Sequence, residues 1–287
     1  MAKHAFSIDV EEWFHGIELP QSEWEGKASR IERGMATVLK LLDDAGQKAT
    51  FFVLGVVAES HPEMVRALSE AGHEVASHGY CHEKLYRVDA STFRSQESKT
   101  KVLLEDLTGR AVQGHRAPYF SITRDSAWAL PILSELGYRY DCSISPVVSW
   151  RYGIAGAPEG LYRFGDLDLI EYTVSSWSFL GRRLAAGGAY FRIFPFQWTT
   201  RPFAARQESL NPAMFYAHPW EYDPEHPRIR FGIRAMATHY ANLKSTVPRT
   251  RRLIGTYPFG RVCDVIDDAQ SADALPTIDS SVLTANG

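Results

Sequence analysis

The sequence predicts an α/β fold on a parallel sheet closed into a seven-stranded barrel, and three observations carry that prediction. Short β-rich runs alternate with helical patterns through the first 143 residues, and such alternation builds parallel sheets. Seven strand candidates can be counted along the chain, several of them ending in polar residues. Barrel enzymes place their chemistry at the strands' C-terminal face, so this pattern favours a barrel over an open sheet. The chain of 287 residues is 45% hydrophobic and 23% charged, which is ordinary globular composition with enough apolar mass for one large core.

The elements follow in order. His4 to Asp9 reads as a strand, and Ser29 to Ala45 as a helix with Ile31, Met35, Val38, Leu39 and Leu42 on one face. Ala49 to Gly55 is the second strand; Pro62 to Ala71 is a helix with Pro in its first turn and Gly72 at its end. Strand 73–78, helix 90–108, strand 112–116, helix 124–136 and strand 138–142 continue the alternation. Residues 168–174 and 213–218 supply the last two strands, and residues 175–206 between them read as a long loop. Ile233 to Ile254 is an amphipathic helix with a break expected at Pro248, and the Ser- and Ala-rich end is expected to be frayed. The domain expectation is one catalytic unit over 1–263, with a helical extension over about 222–263 and a flexible tail over 264–287.

Charge narrows the function classes. Lys and Arg number 31 against 34 Asp and Glu, a net charge of -3, which gives no bulk attraction to nucleic acid. Cys81, Cys142 and Cys263 are odd in number and widely spaced, unlike a zinc knuckle or a disulfide scaffold. The first residues reach an acid at Asp9 before any long apolar stretch, and no run approaches the roughly 20 residues of a spanning helix. The expectation is a cytoplasmic protein. A local excess of cations, Arg228, Arg230, Arg234, Lys244, Arg249, Arg251 and Arg252, reads either as a solvated helix face or as a surface for a pyrophosphate-linked sugar or the inner membrane.

Five strand ends hold candidate chemistry. His78 and His82 stand at i and i+4, a spacing that brings two imidazoles to one metal if the segment is helical; Cys81 between them is read as packing. Asp9, Glu11 and Glu12 end the first strand and offer a metal carboxylate and a general base, or a solvated loop. His115-Arg116-Ala-Pro118-Tyr119-Phe120 places a stiff turn where the backbone N–H of Tyr119 could form an oxyanion hole, or is a structural proline turn with Arg116 at the surface. Asp141 could pair with Arg116 or cap a turn. His218, beside Pro219 and Trp220, could act as a general acid or be structural.

Taken together, Asp9-Val-Glu11, His78-x-x-x-His82, Arg116-x-Pro118-Tyr119, Asp141-Cys-Ser143 and Ala217-His218-Pro219 resemble the motif series of the polysaccharide deacetylases, carbohydrate esterase family four, as does Lys48 to Gly55. The segments Gly187 to Arg192 and His218-Pro-Trp-Glu221 and the C-terminal helix with Arg251-Arg252 are similar to the subfamily found at exopolysaccharide loci with the PEP-CTERM sorting system. The resemblance implies a distorted seven-stranded (β/α) barrel, a divalent metal of the Zn2+ kind, and removal of N-acetyl groups from an amino sugar of a surface glycan or its precursor. By that resemblance His78 and His82 hold the metal, Asp9 is the base, Arg116 and Asp141 the pair that tunes it, His218 the acid, and Tyr119 the donor of an oxyanion N–H. The family's commoner first motif has two adjacent aspartates where this chain has Asp9-Val10, so the metal carboxylate becomes Glu11 or Glu12. Glu11 shares a strand face with Asp9 and is preferred. The expected partner is an N-acetylated sugar, as polymer or as a lipid-linked or nucleotide-linked precursor. Two other readings compete: hydrolysis of a small cyclic amide or formamide, and a catalytically silent carbohydrate-binding protein using Trp13, Trp177 and Trp220.

Overall fold

The computed structural model describes residues 3–17, 19–149, 152–230 and 232–283. Strand β1, His4–Val10, is buried along its whole length. Helix α1, Ile31–Asp44, buries Ile31, Met35, Val38, Leu41 and Leu42 as one stripe. Strand β2, Thr50–Val53, leads into helices α2, Gly55–Ser60, and α3, Pro62–Glu70; the latter starts on proline, where no intrahelical donor is needed. After β3, Glu74–Ser77, helix α4, Ala90–Thr108, is bounded by an Asp89 side chain that accepts from Thr92 N at 2.8 Å and by left-handed Gly109. Strand β4, Gly114–His115, helix α5, Ala129–Glu135, and strand β5, Tyr140–Asp141, complete the regular part.

The second half contains β6, Leu161–Phe164, β7, Ile170–Tyr172, β8, Ser176–Phe179, and β9, Arg182–Ala185. Helices α6, Gly188–Ile193, α7, Phe196–Thr199, and α8, Arg201–Ala205, precede β10, Met214–Ala217. Then follow α9, Ile233–Tyr240, α10, Thr246–Thr256, β11, Phe259–Gly260, α11, Val262–Ser271, and β12, Thr277–Ile278. Among the described residues no helix is long and apolar enough to cross a membrane.

The main sheet runs β10-β1-β2-β3-β4-β5-β7-β6-β12, with β11 beside β1. Its first seven members are the seven strands the sequence predicts, all parallel; β6 is antiparallel to β7. Among the described residues the sheet curls without a closing ladder between β7 and β10. Ser175 bridges the seam instead: its N–H donates to Met214 O at 3.4 Å, and its Oγ accepts from Met214 N at 2.9 Å. One core lies between sheet and helices, around Phe51, Val53 and Leu104; a second fills the barrel, around Phe52, Tyr140 and Tyr172.

Four expectations need correction. The expected loop 175–206 is a β8–β9 hairpin and three short helices, because Ser176-Trp-Ser-Phe alternates polar and apolar and Pro195 and Pro202 start new turns. The helix expected from Arg124 starts at Ala129, which leaves Pro131 in its first turn, where its missing N–H costs nothing. The C-terminal helix breaks at left-handed Asn242, while Pro248 sits in the first turn of α10. The tail is not frayed over 264–283: α11 buries Val262, Val265, Ile266 and Ala269, β12 pairs with β6, and Leu283 is buried.

Helix α1 meets the turn after His218 at Gly34, where an added Cβ would lie 2.0 Å from Pro219 O. Gly34→Ala should therefore cost about 1–3 kcal/mol by overpacking, measured by chemical denaturation, and should lower activity by displacing that turn. A variant as stable as wild type would show that the α1 contact is not tight.

Candidate active site

Register decides which side chains meet. Ile8 aligns with Ala217 and Phe51, and Val10 with Val53, which in turn aligns with Ser77. The next residues, Asp9 and His218, and then Glu11 and His78, therefore reach the same end of the barrel on its inner side. They open into a cleft of about 250 Å³, whose lining also includes His82, Tyr119 and Trp220.

Glu11, His78 and His82 bring one ligand atom each to within 4.8 Å of one another, all buried. Glu11 lies just past β1, with Oε1 accepting from Trp220 Nε1 at 2.9 Å and Oε2 against His82 Nε2. Burial opposes its charge, but His82 and His218 hold its carboxyl far below the usual range. His78 Nδ1 lies 2.8 Å from Arg116 O, so it carries the proton and Nε2 keeps its lone pair. Burial pulls His78 down to about 4, keeping it neutral. Two imidazoles and a carboxylate whose Oε2 faces the His82 ring nitrogen form a donor set that fits a divalent cation. The pair is not brought together by a helix as the spacing suggests; the chain turns through Gly79, at φ 82°, and His82, at φ 58°. Cys81 is buried and its thiol is pushed up to about 12 by burial and Glu83, consistent with packing.

Glu12, the alternative ligand, points away. It accepts from Ser29 Oγ and, at 3.2 Å, from Arg30 N, so it fastens the start of α1. Burial raises its pKa.

Asp9 and Arg116 form a buried ion pair at 2.5 Å. The guanidinium also donates to Ser7 Oγ at 2.9 Å and packs over the Phe52 ring. The expected Arg116–Asp141 pair is absent among the described residues. His115 and Asp141 are partners in register and share a face, and their bond is 2.7 Å; Arg116, one position on, faces the barrel interior. His115, which the sequence places at a strand end without a role of its own, lies between Asp141 and Glu97; although burial opposes it, these two carboxylates raise it to about 9. Asp141 accepts from Ser143 Oγ at 2.6 Å, and Ser143 Oγ accepts from Ala117 N at 2.7 Å, which ties this network to the Pro118–Phe120 turn. In that turn Tyr119 and Phe120 have φ of 58° and 52°, a strained pair of non-glycine residues. The Tyr119 ring lies 4.4 Å from that of His82.

His218 points Nε2 toward the cleft, 4.0 Å from Asp9 Oδ2 and 3.9 Å from Glu11 Oε1. Its Nδ1 bonds Glu221 at 2.8 Å, and Glu221 is held by Arg192 at 2.6 Å. Burial works against protonation, but Glu11, Glu221 and Asp9 outweigh it and raise His218 to about 9. Arg192 and Glu221 lie in segments that the sequence singles out only by resemblance; a fully buried Arg–Glu pair could not be placed without the fold. Trp220 is sandwiched between His218, at 4.9 Å, and His239, at 4.0 Å. Both of its faces are covered, and Trp13 and Trp177 are buried, so the three tryptophans are not the expected sugar-stacking platforms. The basic C-terminal segment is not one free face either: Arg249 donates to Phe194 O at 2.5 Å, Arg252 lies over Phe196 and Arg228 over Tyr240. The side chain of Arg234 lies outside the described residues.

Residues 27–140 match the polysaccharide deacetylase family model, and residues 142–267 match a domain of unknown function (DUF3473). The comparisons support the polysaccharide deacetylase family. His78, His82, Arg116 and Tyr119 fall in the first matched segment and His218 in the second, while Asp9 and Glu11 precede both. The chain is 38% identical over 94 residues to a peptidoglycan-N-acetylglucosamine deacetylase of Bacillus cereus, covering 31% of this chain and 34% of the relative. It spans well under half the length of the curated relatives it matches. In fold it is similar to a candidate polysaccharide deacetylase of Mycobacterium smegmatis, with a TM-score of 0.60, 19% identity, and 96% and 93% of the two chains covered. It is equally similar in fold to an allantoinase, with a TM-score of 0.62, 15% identity, and 95% and 91% covered.

Two expected outcomes follow from this geometry. Trp220→Phe keeps the stacked ring but removes the donor to Glu11, so zinc affinity measured by calorimetry should fall about tenfold or more; unchanged affinity would show that Glu11 is oriented without it. Glu221→Gln removes a negative charge that favours the imidazolium, so His218 in the metal-free protein, followed by NMR titration, should fall from about 9 toward its ordinary 6.5. A titration midpoint unmoved by the substitution would assign the rise to Asp9 and Glu11 alone.

Proposed function

We propose that this chain is a metal-dependent hydrolase that removes N-acetyl groups from an amino sugar of a surface glycan or its precursor, with Zn2+ as the metal. The observation that carries the reading is the convergence of Asp9, Glu11, His78, His82 and His218 on one cleft; deacetylase relatives support the substrate class. An exopolysaccharide setting is the finer part of the proposal, supported by the likeness of the Gly187–Arg192 and His218–Glu221 segments, which both contribute to the cleft.

An N-acetyl amide resists hydrolysis because its carbonyl is weakly electrophilic and its amine leaves poorly. A divalent cation held by Glu11, His78 and His82 would polarise the carbonyl and acidify a water. Asp9 has one oxygen committed to Arg116, so Oδ2 is the atom that takes the water proton. The Tyr119 N–H, in its strained turn, is assigned to the developing oxyanion. His218, with Nδ1 held by Glu221, donates from Nε2 to the departing nitrogen. A raised pKa keeps that proton available at neutral pH.

A second reading, hydrolysis of a small cyclic amide, is favoured by the fold likeness to an allantoinase; fold does not choose between them. Lipid-linked or nucleotide-linked sugars and contact with a membrane surface belong to the first reading. The test is incubation of zinc-loaded protein with oligomeric, lipid-linked and nucleotide-linked N-acetyl sugars and with allantoin, following acetate release and ring opening. Acetate from a sugar supports the proposal; ring opening alone overturns it. Asp9→Asn should keep metal content by elemental analysis and lose turnover by roughly a hundredfold or more; near-normal turnover would remove Asp9 as the base.

A further inference from the structure

The β8–β9 hairpin carries a feature that the cleft chemistry does not use. Its turn residues, Leu180 at φ 47° and Gly181 at φ 75°, are both left-handed, a two-residue turn usually made by Asn-Gly. A leucine there is strained, and this one is 87% exposed. Strain and exposure both act against folding, and neither helps the hairpin form.

The apolar character continues from the tip toward the cleft. Half-buried Phe179 lies 5.2 Å from Trp198 and 5.6 Å from Phe194. Ile193, beside Phe194, is 45% exposed. Phe194 lies 6.2 Å from Tyr190, which lines the cleft. Cations flank this strip: Arg182 is the register partner of Phe179 and is exposed, and exposed Arg252 lies over Phe196. Neither makes an ion pair among the described residues, whereas Arg183 lies 3.6 Å from Glu159.

We propose that the β8–β9 tip and the adjoining strip dock on an anionic lipid surface, with Leu180 entering the acyl boundary and Arg182 and Arg252 meeting the headgroups. An apolar residue on a narrow tip with guanidinium groups beside it suits a headgroup plane. A second copy seated two-fold on the same tip would set Arg182 against its equivalent, like charge on like. The inference deepens the membrane contact named in the proposed function, centres it on the hairpin with Arg252 as the one contribution of the C-terminal helix, and presents the cleft rim at Tyr190 to a sugar carried on a lipid.

The test is co-sedimentation of the full chain with phosphatidylcholine vesicles, with and without phosphatidylglycerol, alongside sedimentation velocity without lipid. Leu180→Asn relieves the backbone strain, so it should melt at or above the wild-type temperature, turn over soluble substrate unchanged, and partition into phosphatidylglycerol vesicles about tenfold or more weakly. Arg182→Glu should lose binding to the phosphatidylglycerol vesicles and leave the weaker phosphatidylcholine binding unchanged. No binding by wild type, equal partition of wild type and Leu180→Asn, or a wild-type dimer that Leu180→Asn dissolves would each overturn the proposal. Vesicle binding needs no turnover, so a protein that binds vesicles without releasing acetate fails only the proposed function.

Discussion

The constraint on which the site depends is the Arg116 guanidinium, completely buried beneath the cleft. A cation there persists only if a carboxylate is brought to it, and removing that partner from a buried pair costs about 3–5 kcal/mol. Asp9 meets it from β1, with β2 and β3 standing between the two strands in the sheet, so the bond crosses the barrel interior. The rings of Phe52 and Phe120 wall the guanidinium, which leaves one Asp9 oxygen committed and the other directed toward His218. A single ion pair thus ties the barrel's curvature to the orientation of the group best placed to act as a base.

Around that pair the strands sort polar groups by face. The outward row Ser77, His115, Asp141 and Glu171 follows the register across β3, β4, β5 and β7. Glu97 of α4 meets this row, accepting from Ser77 Oγ and Tyr138 OH. Full burial makes each pairing in such a network count; the link from Asp141 through Ser143 to Ala117 N supports the strained turn that carries Tyr119. The inward set faces the cleft. One residue of displacement along a strand separates a supporting group from a reacting one.

The segments beyond β7 complete the cleft. Arg192 of α6 holds Glu221, Glu221 holds His218, and Trp220 spans His218, His239 and Glu11. The half of the chain with the least regular secondary structure therefore supplies the support of the candidate acid and of one candidate ligand. Its hairpin departs from local preference at Leu180.

Much was legible from the sequence alone. Seven parallel strands, the apolar stripe of α1, the helices α3 and α4, and the gathering of Asp9, Glu11, His78, His82 and His218 at one face follow from periodicities of 3.6 and 2.0, from Pro and Gly at helix ends and from polar residues at strand ends, which are local properties. That Glu11 and not Glu12 turns to the cleft followed from strand parity for the same reason. Pairing was not local. Asp141 was assigned to Arg116, yet the register of β4 on β5 gives it to His115, and register is set by hydrogen bonds between segments distant in sequence. The packed C-terminal segment and the Arg192–Glu221–His218 chain likewise depended on surfaces that only the folded barrel presents, because burial turns an otherwise solvated charge into one that must find a partner.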